Sequence, residues 1–176
     1  TMMVAGVGES AVSAVSLVDA INLLMIQFFA AMATGGAIVA AQYLGLKQKE
    51  NADHAGKQLV MATFFFSLII MAVCLLLNEY MLRAFFGKIE SDVMANARIY
   101  FYVTALSYPF MAGFNSAAAL FRGMGNSKIA MVNALIMNIV NIVGNALFIY
   151  VFDMGVFGAA LATLISRIIA AATMLW

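Results

Sequence analysis

Cysteine, proline, histidine and tryptophan each occur once in these 176 residues, and charged side chains make up only 10%. Each shortage closes off a class of protein. Cys74, alone inside an apolar run, cannot build a disulfide framework. His54 stands in a charged segment with no second ligand at metal spacing, so it reads as solvated rather than metal-bound. The sequence has no nucleophile–base pair, Walker loop or metal-ligand cluster. That argues against an enzyme or an ATP-driven pump domain, and no catalytic residue is assigned. The formal net charge is +1 without any basic run, so nothing suggests nucleic acid as a partner.

Apolar residues are what the chain has instead. They make up 65% of it, against about 45–50% in a soluble domain, and the mean hydropathy is +1.01. The partner these numbers imply is a lipid bilayer. Long unbroken apolar runs favour helices over a barrel, whose strands would alternate over about ten residues. The expected fold is all-α, a polytopic membrane helix bundle. With about 20 apolar residues per crossing, helices fall at roughly 1–7, 10–44, 59–78, 99–121, 129–152 and 156–176 of one transmembrane domain covering 1–176. The segment 1–7 reads as the tail of a first helix. Pro109 lies inside the fourth span, where it removes a hydrogen bond and should bend the helix.

Lysine and arginine in short loops mark the cytoplasmic side. Lys47, Lys49, Lys57, Arg122 and Lys128 gather in the second and fourth connections, against Arg83, Lys88 and Arg98 near the others. Loops 45–58 and 122–128 are therefore expected on the cytoplasmic face of a cell membrane. The chain opens on Thr1-Met-Met-Val-Ala-Gly with no basic leader and closes on Trp176 within an apolar run. Both ends read as cut, which leads us to expect part of a longer protein.

Polar groups inside apolar spans carry what functional signal there is, because hydrocarbon offers them no partner. Asn138, Asn141 and Asn145 fall on one face of the fifth helix. Asn145 lies seven residues before the outer end of that helix, and Thr163 lies seven residues after the start of the next. Counting 1.5 Å per residue puts both about 10 Å deep, facing each other across a short connection. Amide and hydroxyl oxygens suit a hard cation; they also serve as interhelical glue worth around 1 kcal/mol. Spacing alone leaves both readings open. Asp19, about nine residues into the second helix, is a candidate for cation or proton coupling. Asn138, Pro109, Asn115 and Arg167 are candidate cavity-lining residues. Small residues at Gly155-xxx-Ala159, Gly158-xxx-Ala162 and Gly113-xxx-Ala117 permit close helix approach.

Three segments in order resemble the multidrug and toxic compound extrusion (MATE) family of antiporters. They are Thr34-Gly-Gly-Ala-Ile-Val-Ala-Ala-Gln42-Tyr-Leu-Gly45, Phe121-Arg122-Gly123-Met-Gly125-Asn-Ser-Lys128 and Gly155-Val-Phe-Gly158-Ala159-Ala-Leu-Ala162-Thr163. The resemblance runs over essentially the whole chain. It implies a twelve-helix protein of two lobes, with this chain supplying nearly all of the N-terminal six-helix lobe and a C-terminal lobe as its missing partner. It implies efflux of small organic, often cationic, substrates in exchange for Na⁺ or H⁺ by alternating access, with no cofactor besides the coupling ion. Carried over from relatives, the cation-binding residues would be Asn141, Asn145, Ala159 through its carbonyl, and Thr163. The aspartate that completes the site in relatives would lie just before Thr1. Two rival readings are a flippase of the same superfold, moving lipid-linked sugars, and a non-transporting structural bundle.

Overall fold

The computed structural model describes residues 4, 6–87 and 90–175. Among these there are seven α-helices and no strand: α1 (Glu9–Gly45), α2 (Lys49–Leu76), α3 (Asn78–Phe86), α4 (Ser91–Ala105), α5 (Tyr108–Gly123), α6 (Ser127–Asn145) and α7 (Gly155–Leu175). α6 runs on into a π-helical turn, Ala146–Val151. Four helices are long and apolar enough to cross a membrane: α1, α2, α6 with its π turn, and α7. α4 and α5, of 15 and 16 residues, follow one another end to end. The helix tail expected over 1–7 falls largely outside the described residues, as do Lys88 and Trp176.

Helix boundaries depart from the hydropathy reading in one consistent direction. α2 starts at Lys49 rather than near 59, and α4 at Ser91 rather than near 99. Hydropathy marks only the apolar part of a helix, whereas lysine, glutamate, glutamine and alanine extend it at no great cost. The expected loop 45–58 therefore shrinks to the turn at residues 46–48, with Lys47 at φ 61°. Asn51 donates to Gln48 at 2.9 Å and Lys57 pairs with Asp53 at 2.7 Å along the new first turns of α2. α3 lies between the spans expected over 59–78 and 99–121, where no helix is expected.

Pro109 does more than bend its span. It is the second residue of α5, and the single helix expected over 99–121 is broken at Leu106–Ser107. Proline has no N–H to offer the carbonyl of Ala105, four residues back, so the ladder fails there. The Ser107 hydroxyl fills part of the gap by donating to the Thr104 carbonyl at 2.5 Å.

α5 is the hub. It packs against α1, α2, α6 and α7, and from Tyr108 to Ala119 all but one of its residues are buried. Its run of alanine, glycine and serine lets neighbours come close. The Thr63 and Ser116 hydroxyls meet at 2.6 Å across the α2–α5 contact. α6 and α7 form an antiparallel hairpin that is equally close: a Cβ on Gly144 would stand 3.1 Å from the Ala162 Cβ, and one on Gly158 3.0 Å from the Phe148 Cβ. Large apolar side chains point outward, among them Leu76, Leu135, Ile139 and Ile142, as lipid-facing surfaces require. Leu44 and Lys49, beside the α1–α2 turn, share a groove with Gly123 and Met124, at the α5–α6 turn. The two connections expected on one side of the membrane thus lie at one end of the bundle.

Candidate functional site: a polar cavity between α1 and the α6–α7 hairpin

α1 and α7 both pack on α4 and α5 but hardly touch one another. The gap between them is a cavity of about 530 Å³, walled by α1, α6 and α7 and roofed by Tyr100 of α4 and Met111 of α5. Asp19, Asn138, Asn141, Asn145, Ala159, Thr163, Ser166 and Arg167 all contribute to its lining. Seven of these eight are polar or charged.

The hydrogen bonds run in a chain. Asn145 Nδ2 donates to Asn141 Oδ1 at 2.9 Å, and Asn141 Nδ2 reaches Thr163 Oγ1 at 3.3 Å and Ser166 Oγ at 3.5 Å. Thr163 in turn donates to the Ala159 carbonyl at 3.1 Å. On the α1 side, the Tyr100 hydroxyl donates to Asp19 Oδ1 at 3.0 Å. Arg167 is buried, and its Nη1 donates to Ser107 Oγ at 2.6 Å, in the break between α4 and α5.

The direct partner of Thr163 is thus Asn141 rather than Asn145, a correction of one helical turn. The π turn that follows Asn145 contributes to the shift. Its i→i+5 bonds, including Phe152 N–H to the Leu147 carbonyl at 3.0 Å, pack more residues into each ångström of axis than an α-helix does. Residues before the turn therefore sit shallower than a count at 1.5 Å per residue places them, and the deeper amide comes level with Thr163.

The other candidates divide. Asn138 lines the cavity but is largely exposed. Arg167 and Asp19 line it from opposite walls. Pro109 does not: it faces a separate apolar groove with Val60, Phe64 and Ile168. Asn115 is also absent from the lining; it is buried on α5, and its Nδ2 has no hydrogen-bond partner. Tyr100 was missed in the sequence because a tyrosine near a helix end reads as an interfacial anchor. The available signal was its place one turn before Thr104 on α4, as Asp19 stands about one turn before Asn22 on α1. No group of three or more histidine, cysteine or acidic residues that could hold a metal occurs among the described residues.

By form, the described residues make a helical membrane bundle with a polar cavity between its helices. Comparison with known proteins is more specific. Residues 1–147 match the MatE family model, and the chain belongs to that family. It is 30% identical over 175 residues to the uncharacterized transporter YisQ of Bacillus subtilis (strain 168), covering 96% of this chain and 38% of that protein. To the multidrug export protein MepA of Staphylococcus saprophyticus it is 25% identical, over 90% of this chain and 35% of that one. Among solved structures it superposes on an inward-facing multidrug resistance MATE family transporter with a TM-score of 0.93 and 25% identity, over 98% of this chain and 39% of the other. The chain spans less than two fifths of the length of these relatives, which corresponds to one lobe of the solved transporters. The family is one of membrane transporters rather than enzymes.

Proposed function

We propose that this chain forms the cation-handling lobe of a secondary efflux transporter, exporting small organic, often cationic, compounds in exchange for Na⁺ or H⁺. The observation that carries the reading is the convergence of Asp19, Asn141, Asn145 and Thr163 on one cavity in an apolar bundle. Carboxylate, amide and hydroxyl oxygens are the donor set for a hard cation, and an intramembrane acid is costly enough to need a use. Asn141 is the hub of the set, Asn145 and Thr163 flank it, and the Ala159 carbonyl stands behind Thr163. Cation binding would bias the outward-open and inward-open states by its differential affinity for them. The break at Leu106–Ser107, rather than a smooth bend at Pro109, is the candidate hinge. The cavity for the organic substrate would be completed by a second lobe. The membrane would be the cell membrane, with the turns at 46–48 and 124–126 on the cytoplasmic face.

The test uses the full-length protein carrying Asn141→Leu together with Thr163→Val. Vesicle transport of an organic cation should lose its dependence on the Na⁺ or H⁺ gradient, while expression and membrane insertion stay normal. Unchanged gradient dependence would sink the site.

A further inference from the structure

Arg167 presents a problem that the cation reading leaves unsolved. It is 8% exposed, inside a membrane bundle, and the three ion pairs among the described residues all lie elsewhere. A guanidinium carries five N–H donors, and here only Nη1 is engaged, by the Ser107 hydroxyl. A buried charge without a counter-charge is strongly unfavourable. The C-terminal end of α4 beside Ser107 supplies part of the compensation, because unpaired helix carbonyls carry about half a negative charge. The rest must come from the cavity. Asp19 and Arg167 are the only charged residues in its lining, and Asp19 meets only the Tyr100 hydroxyl.

Resting on the cation reading, we propose that Arg167 is a tethered rival of the transported cations for Asp19. With the guanidinium held on Ser107, Asp19 is left to the Tyr100 hydroxyl and to a cation. When the cation leaves, the guanidinium turns across the gap between α7 and α1 and pairs with Asp19. The carboxylate is then balanced in both states, so the vacated transporter is not penalised by a bare intramembrane charge. α7 scarcely contacts α1, so the cavity lies open between the two side chains. The move also releases Ser107, which lies in the α4–α5 break, so cargo exchange at the cavity is linked to the loosening of that joint.

Two substitutions should act with opposite signs. In full-length protein, equilibrium binding of tetraphenylphosphonium and of Na⁺ is measured by calorimetry. Arg167→Met removes the rival and should tighten binding about tenfold, within the usual range of coupling between two sites. Ser107→Ala removes the resting place, favours the Asp19-bound form and should weaken binding. Asp19→Asn should weaken binding and erase the gain made by R167M. A structural role for Arg167 predicts the reverse for R167M: a lower melting temperature and weaker binding. The proposal is overturned if R167M leaves affinity unchanged or lowers it, or if its gain survives in the D19N background. Should R167M not fold, S107A decides alone, and unchanged affinity there overturns the proposal. If neither probe binds the wild-type protein, or D19N alters the affinity of neither, the cation reading itself falls and takes this inference with it.

Discussion

Two polar layers lie one helical turn apart on α1, built from nearly the same parts. In the first, Asp19 meets the Tyr100 hydroxyl of α4. In the second, Asn22 donates to the Thr104 hydroxyl of α4 at 3.4 Å and accepts from the Tyr108 hydroxyl of α5 at 3.0 Å. The Asn22 layer is closed: Asn22, Thr104 and Tyr108 are all buried, and none of them lines the cavity. The Asp19 layer opens onto it. A closed polar layer fixes how helices meet, because separating it would leave its groups without partners in hydrocarbon. An open layer exchanges partners. Polar residues at similar spacing thus close on one another in one case and open onto the cavity in the other.

Breaking the closed layer should cost the most stability. Asn22→Leu leaves the buried Tyr108 hydroxyl without its acceptor, at about 1–3 kcal/mol. The expected result is a clearly lowered melting temperature in detergent with the ion dependence of any remaining transport intact; altered ion dependence would mean that the two layers are not separate. The open layer should answer in the opposite way. Asp19→Asn is expected to cut gradient-driven transport about tenfold, equivalent to about 1.4 kcal/mol, with little change in melting temperature. A large loss of stability instead would place Asp19 in the scaffold. The smallest effect should come from the hydroxyl bordering both. Tyr100→Phe removes one charge-assisted hydrogen bond, worth about 1.5 kcal/mol or less once water can enter from the cavity. A several-fold shift in cation affinity, read by calorimetry, is its expected mark.

Much of this was legible from residue order. The class of fold, the polar face of α6 and the presence of an acid within α1 follow from hydropathy and helical spacing, and the motif bearing Ala159 and Thr163 from the family resemblance. What was not legible has a common physical cause: each case depends on departures from an ideal straight helix. The pairing of Asn141 with Thr163 turns on a π turn that no residue count reveals. The place of Pro109 outside the cavity follows from a full break where spacing suggests a bend. α3 hides in a stretch whose residues are too polar for a membrane span yet adequate helix formers. Asp19 shares its cavity with Asn141, Asn145 and Thr163. That was not deducible from a position about nine residues into α1, because it depends on how α1 turns toward α4.

The π turn at Ala146–Val151 acts as a vernier. A π turn is an α-helix carrying one residue in surplus, so removing a single residue from this segment would relax it to α geometry. That change would slide the amides of α6 along Thr163 and Ser166 by a fraction of a turn without altering a single lining residue. The depth of the site, and with it which amide meets α7, is adjustable by length as well as by composition. A one-residue deletion series through this segment would test whether that depth governs the proposed cation binding.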